Sequence, residues 1–529
     1  MSDSVGAIGI DLGTRNALCA FIGEDSRPVM IPNRWGRTTT PSVVGWNDGW
    51  LVGEDAVRRS LQCPIPVWWD LKRKVGDGFR ASCGGRTYAA QDVLVPLIRA
   101  LREDAEVFMG RFVSSCVLTV PACFSLAQRE AMVKAAGAAG LREARIVNEP
   151  TAAALAFGRD GRFLIVDFGA GTVDISAAES EDGVWQVLES VGSARIGGYD
   201  FDIAMAEWLR ERLNLPPMSM DDPAWRVLVL EAENIKIALS SCHVYEWNPP
   251  PLPGVEYLRT CSPVRIERED FERMVRFSIR RIMHAVRRMW ERYEPEHLLL
   301  VGGSSRIPLL HDILEREIVR PERLRLCAEE SVAAGAALYA EAGGDRLLLD
   351  VLSGDVGFVA DGESRIIAMA GTPLPLTTRL RFAPESSGPT EMVFFQNMND
   401  IPSDAMERPS GQTALAVLNI DAVAGMDVSL RCSVTNAGLM RLTLRHNGAT
   451  IEASLTGRVG QTDQPAGSPA DRKRLRDLKL RLVPMEMALS DEQRERLYAL
   501  LHRIDGMNGG TDAVAVLERL VRDLEIALT

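Results

Sequence analysis

The sequence predicts a multidomain chain: an α/β part of two related lobes, then an antiparallel β-sandwich, then a short α-helical segment. Three observations predict it. A hairpin of apolar strand, Asp, glycine-bearing turn and second strand occurs at residues 7–22 and again at 163–174, and a third strand runs into glycines at 298–308. From Asp350 to about Val459 the apolar spacing turns to period two, and from 470 onward it returns to helical spacing. At 529 residues, 46% hydrophobic and 25% charged, the chain is long enough for three or more cores.

Composition also excludes. A net charge of -12 without a long basic run argues against nucleic acid as main partner. Nine cysteines contain no Cys-x-x-Cys pair and six histidines no His-Glu-x-x-His, so neither a disulfide framework nor a zinc site is expected. Met1 to Ala7 lacks the basic-then-apolar build of a signal peptide, and no apolar run is long enough to span a bilayer. The expectation is a cytoplasmic protein with no membrane partner.

The run Phe163-Leu164-Ile165-Val166-Asp167-Phe168-Gly169-Ala170-Gly171-Thr172-Val173-Asp174 reads as a buried strand emptying into a phosphate-holding turn. Gly169 and Gly171 let backbone N–H groups approach an anion, and Asp167 and Asp174 can organise a metal. A plain hairpin is the simpler reading of either copy alone. The matching Ile10-Asp11-Leu12-Gly13-Thr14-Arg15-Asn16 suggests two lobes that each lend one turn to a shared ligand.

Between the hairpins, Gln91–Phe108 has helical spacing, 117–121 reads as a strand ending at Pro121, and Ser125–Gly140 as a helix stopped by glycine. Asn148-Glu149-Pro150-Thr151 places an amide and a carboxylate at a strand-to-helix corner before an alanine-rich helix. A helix N-terminus with an acidic first turn explains that Glu equally well. Gly197 and Gly198 precede another helix, and Glu233, Lys236 and Ser240 share one helical face. In Val301-Gly302-Gly303-Ser304-Ser305-Arg306-Ile307-Pro308 a planar cation follows glycines, placed to stack on a base; a glycine pair that only caps a strand is the alternative.

Taken together and in order, Ile10–Thr14, Leu71-Lys72-Arg73-Lys74-Val75-Gly76, Val120-Pro121-Ala122-Cys123-Phe124, Asn148–Ala154, Asp167–Asp174 and Val301–Pro308 resemble the nucleotide-binding domain of the DnaK-type heat-shock chaperones. That family belongs to the superfamily of actin, hexokinase and heat-shock ATPases. The resemblance implies an actin-like ATPase domain of two ribonuclease-H-like lobes over residues 1–343. It implies an interdomain linker at 344–351, a β-sandwich substrate-binding domain at 352–459 and a shortened helical lid at 470–529.

The resemblance also implies roles. Asp11, Glu149 and Asp167 would surround Mg2+ and the attacking water, partly through water as magnesium prefers. Lys72 would steady the γ-phosphate, with Glu149, Asp167 and Thr172 as its catalytic company. Gly13, Thr14, Arg15, Gly169, Ala170, Gly171, Gly197 and Gly198 would cradle phosphates of ATP or ADP. Glu233, Lys236 and Ser240 would grip the adenosine from one side, and Gly302, Gly303, Ser304 and Arg306 from the other.

Departures from the pattern bear on the same site. Arg15 stands where the family usually has Thr, either adding a phosphate contact or pointing to solvent. Ala170 replaces the middle of three glycines, and if that position needs a positive φ it costs about 1 kcal/mol. Tyr199 replaces an acidic residue, and the short stretch Gly76–Tyr88 resembles the divergent HscC-like bacterial branch.

Leu347-Leu348-Leu349-Asp350 follows Gly343-Gly344 and resembles the family's docking linker; large apolar residues kept in water would forfeit about 1.5 to 3 kcal/mol each. Strands are expected at 364–369, 392–395, 414–420, 428–434, 439–444 and 451–455. Met392, Phe394, Met398 and Met406 line a groove or, more commonly for alternating residues, fill the core. Residues 460–469 read as a flexible connection, 471–483 as a basic amphipathic helix, Ser490–Gln493 as a capping box, and 511–528 as a last helix.

The function expected is an ATP-dependent chaperone whose slow hydrolysis controls binding and release of unfolded or client polypeptide. A J-domain co-chaperone is the expected partner, with dependence on a nucleotide-exchange factor left open. The alternatives are a nucleotide-sensing adaptor with little hydrolysis and an actin-like filament protein, the latter disfavoured by the C-terminal β domain.

Overall fold

The computed structural model describes residues 6–63, 65–219, 222–255, 263–318, 329–342, 348–385, 387–398, 412–454 and 511–528, with Arg474, Leu478 and Leu482 in addition. The first hairpin, Gly6–Leu12 and Asn16–Ile22, pairs antiparallel and carries Val113–Val120 and then Glu143–Asn148 in parallel on its other side. Ile8, Ile10, Leu12, Leu118 and Val120 are fully buried in one core with Val93, Leu97 and Ile98 of the helix Ala90–Met109. Period-two strand spacing meets period-3.6 helix spacing there, which is the packing that an α/β lobe requires.

The second hairpin repeats the plan. Gly161–Phe168 pairs antiparallel with Val173–Glu181 and parallel with His297–Val301, and Val184–Ser193 extends the sheet. Leu164, Val166 and Phe168 face a core with Trp225, Leu228 and Ile279, while Phe163 and Ile165 face a second one with Ala153 and Ala336. Burial on both faces explains why this strand reads as an uninterrupted apolar run. That second core also takes Val117 and Val147 from the first lobe, so the lobes join through the alanine-rich helices Glu149–Phe157 and Ser331–Glu341.

Leu348–Leu349 adds to the edge of the second sheet, parallel to Val184–Ser193, with Leu348 opposite Trp185. Beyond it stand two four-stranded antiparallel sheets. One runs Glu363–Ala368, Gly354–Ala360, Gly388–Met398, Gln412–Ala422; the other Leu376–Phe382, Val428–Val434, Met440–His446, Ala449–Ser454. Val356, Phe358, Met392, Phe394, Leu430 and Leu442 fill the space between them. Leu126 and Ala127 of the first lobe belong to this same core, so the sandwich is seated on the helix Leu126–Ala138.

Within these sheets Met392 and Phe394 are core residues rather than groove lining, while Met398 is half-buried and Met406 lies outside the described residues. The strands Gly354–Ala360 and Leu376–Phe382 are additional to those expected. Gly343, Gly344, Leu347, the connection 460–469 and the capping box at 490–493 also lie outside. The last helix is Thr511–Leu528, with Val514, Leu517 and Val521 buried and Glu518 paired to Arg474; of the expected helix 471–483 only Arg474, Leu478 and Leu482 are described. Among the described residues no helix is long and apolar enough to cross a membrane.

Candidate functional site

Because the two hairpins are built alike, their turns meet. Gly13, Thr14 and Arg15 follow one strand and Gly169 to Thr172 follow the other, and both turns open on a cavity of about 320 Å³ between the lobes. Asp11, Lys72, Glu149 and Asp167 line it as well, as do Glu233, Lys236, Ser240, Gly302, Gly303, Ser304 and Arg306. Gly171, Gly197 and Gly198 stand behind that lining. A Cβ on Gly171 would collide with the Thr14 side chain and one on Gly197 with the Ala170 backbone, so only glycine lets these turns close up.

Lys72 comes from the short 3-10 turn Leu71–Lys74 and is buried, its Nζ bonded to Glu149 Oε1. Burial pulls the ammonium down, but Glu149, Asp11 and Asp167 around it more than compensate, and it is held charged. Burial and then the Glu149 charge push the Asp11 carboxyl up to about 7, against the pull of Lys72 and a hydrogen bond from Thr119 Oγ1 at 3.1 Å. Burial and the neighbouring carboxylates push Asp167 well above the usual range too. Asp174, behind them, takes the Cys123 N–H at 2.9 Å on Oδ1, and burial followed by the Glu149 charge raises it to about 7. One lysine thus faces several buried carboxylates that want more positive charge.

Among the described residues no group of three or more His, Cys, Asp and Glu side chains closes around one metal position. The oxygen-only donor set fits a hard cation that keeps its own water and is completed by phosphate oxygens, as magnesium is, and does not fit a metal caged by protein alone.

Around the rest of the cavity, Lys236 Nζ donates to the Gly198 carbonyl at 3.1 Å and pairs with the buried Asp202 at 2.7 Å. Ser304 Oγ donates to the Gly169 carbonyl at 2.9 Å, fixing the third glycine turn against the second. Arg306 is largely exposed and paired with Glu329 at 2.6 Å. Ser240 sits at the end of the helix Pro223–Leu239, its Oγ donating to the Lys236 carbonyl at 3.1 Å.

Arg15 does not point to solvent: it lines the cavity, and its guanidinium goes to Glu233 and lies over the rings of Trp69 and Tyr199. Ala170 has no positive φ, so the cost attached to that condition does not arise. Trp69, Thr119 and Asp202 were missed as site residues. Asp202 carried a signal, the second acid after Gly197-Gly198, whereas nothing local marks Trp69 or Thr119.

A family model described as Hsp70 protein matches residues 7–83 and 77–364. A curated relative, the Chaperone protein DnaK of Mycoplasma mobile (strain ATCC 43663 / 163K / NCTC 11711), is 32% identical over 507 residues, covering 90% of this chain and 84% of its own. The family-model match runs from the first hairpin through the leucine segment.

Proposed function

The chain belongs to the Hsp70 family of ATP-dependent chaperones, with an actin-like ATPase domain and a β-sandwich domain, and from that premise we propose how its residues divide the work. ATP occupies the cavity between the turns. Thr14, Thr172 and the turn N–H groups hold the β- and γ-phosphates, and Glu233, Lys236, Ser240, Gly303, Ser304 and Arg306 hold the adenosine. Lys72 steadies the γ-phosphate and the attacking water, which Glu149 and Asp167 orient. Magnesium, when bound with the nucleotide, supplies neutralising charge to the phosphate oxygens. Phosphoryl transfer asks mostly for such positioning.

The observation that carries this reading is Lys72, buried and charged among Asp11, Glu149 and Asp167 where both turns meet. Single-turnover hydrolysis of bound ATP tests it. Lys72→Ala is expected to lower the rate by about a hundredfold or more. Phosphate release no faster in the natural chain than in Lys72→Ala would instead mark a nucleotide-sensing adaptor.

Client polypeptide is released and retained by the sandwich under control of the nucleotide. The route we assign starts at Glu149 and passes through Asn148 beside it to Asp350, then along the chain to Ser353, whose Oγ accepts from Gln396 Nε2 at 3.4 Å, and so to Gln396 of the sandwich, whose Oε1 accepts the Leu126 N–H at 2.9 Å. Ser353 Oγ, bonded to the Phe124 carbonyl at 3.3 Å, lies on the same seam. A J-domain protein is the proposed co-chaperone.

A further inference from the structure

Arg15 and Tyr199 lie far apart in the chain, and the fold brings them together across the cleft. Arg15 leaves the turn after Gly6–Leu12 in the first lobe with 9% of its side chain exposed. Its Nε donates to Glu233 Oε1 at 3.3 Å, and its Nη2 to Oε2, on the helix Pro223–Leu239 of the second lobe. The same guanidinium lies 5.4 Å from the ring centre of Trp69, in the first lobe, and 5.4 Å from that of Tyr199, in the second. Tyr199 is anchored in turn by its N–H, which donates to the Ala170 carbonyl at 2.7 Å. The next residue, Asp200, takes a second arginine of the first lobe, Arg73, at 3.1 Å.

A guanidinium is the group suited to this place. Its planar fork matches a carboxylate edge while its faces take aromatic rings, and all of these contacts can be held at once. Water is largely kept from the pair, so it is worth more than a surface ion pair. Separating the lobes must pull Arg15 away from Glu233 and Tyr199 together, with Trp69 travelling on the arginine's side. A carboxylate accepts about four hydrogen bonds, so Glu233 can hold the guanidinium and a ribose hydroxyl at the same time.

We propose that Arg15, Trp69, Tyr199 and Glu233 form a clasp across the nucleotide cleft that sets how long ADP stays bound. This rests on the cavity being the nucleotide site. ADP leaves when the lobes part, and the lobes part when the arginine lets go. Neither the turn sequence nor the helix face carries this role alone, because the clasp exists only once the lobes face each other.

The test is release of a fluorescent ADP derivative, chased by excess ATP in stopped flow, from the full chain and five variants. Arg15→Ala is expected to release ADP at least about fivefold faster, as loss of a partly buried cation–π and ion-pair contact implies. Tyr199→Leu and Arg15→Lys, which keep the charge but lose a stacked face or the planar fork, are expected between the two and decide the matter if Arg15→Ala does not fold. In a Glu233→Gln background Arg15→Ala is expected to add a smaller factor than it does alone, since the ion pair is already lost while the stacking on Trp69 and Tyr199 remains. An Arg15→Ala chain that binds ADP and releases it less than about fivefold faster overturns the clasp, and so do additive effects of the two substitutions. A natural chain that binds no ADP overturns the site reading as well.

Discussion

The Asn148 side-chain amide donates to the Asp350 carboxylate at 2.7 Å, so the residue leading into Glu149 holds the end of the leucine segment. Arg129 completes the contact, donating to Asn148 Oδ1 at 2.6 Å and standing 3.8 Å from Asp350. All three are buried, and a buried network loses most when one member is removed. Asp350→Ala is expected to leave ADP affinity within about twofold and slow ATP-triggered peptide release at least about tenfold. Release of a labelled peptide at the natural rate would remove this contact from the coupling route.

Leu348 offers the second cut in the same route. It is buried against Trp185 and Phe163 at the edge of the second lobe's sheet. Undocking it exposes a leucine, worth about 1.5 to 3 kcal/mol, and an aspartate there cannot dock without losing its water. Leu348→Asp is expected to keep nucleotide affinity and abolish the acceleration of peptide release by ATP. Unchanged release kinetics in that variant would refute a docking switch.

Local signals made the hairpins legible, and distance hid the rest. The runs at 7–12 and 163–168 announce strands because both of their faces are buried, and Asp11 and Asp167 follow at the strand ends. Leu376–Phe382 was not legible, because Thr377, Arg379 and Arg381 leave only a half-buried alternation. Gly354–Ala360 was obscured by its two glycines and an aspartate, which are poor strand formers. The partner of Arg15 lies 218 positions away, and no spacing rule reaches that far. Met392 and Phe394 alternate as groove or core residues would alike, and only the second sheet packed over them decides for the core.

The buried Asp174 carboxyl predicts a pH dependence. Its pKa rises on folding from the ordinary carboxylate value to about 7, so the folded chain binds its proton more tightly than the unfolded chain does. The stability it contributes is therefore whole below about pH 4 and is lost as pH rises through about 7. Asp11 behaves alike and Asp202, raised to about 6, does so slightly lower. Without nucleotide, the melting temperature is expected to fall from pH 5 to pH 8, and less steeply in Asp174→Asn. Parallel profiles for the two chains would show that Asp174 titrates elsewhere than in this range.

Ala170 makes the last prediction, since a missing glycine in a phosphate turn suggests an impaired enzyme. Its backbone has no positive φ, and its carbonyl already accepts the Tyr199 N–H at 2.7 Å, with Gly197 closing against it from behind. The methyl group therefore strains nothing that glycine would relieve. Restoring glycine adds freedom to the unfolded chain, which costs about 0.4 to 1 kcal/mol of stability where alanine fits unstrained. Ala170→Gly is expected to lower the melting temperature by a few degrees at most and to change single-turnover hydrolysis by less than about threefold. A rate rising tenfold or more would mean that the methyl obstructs the γ-phosphate, and the turn would then be the brake on turnover.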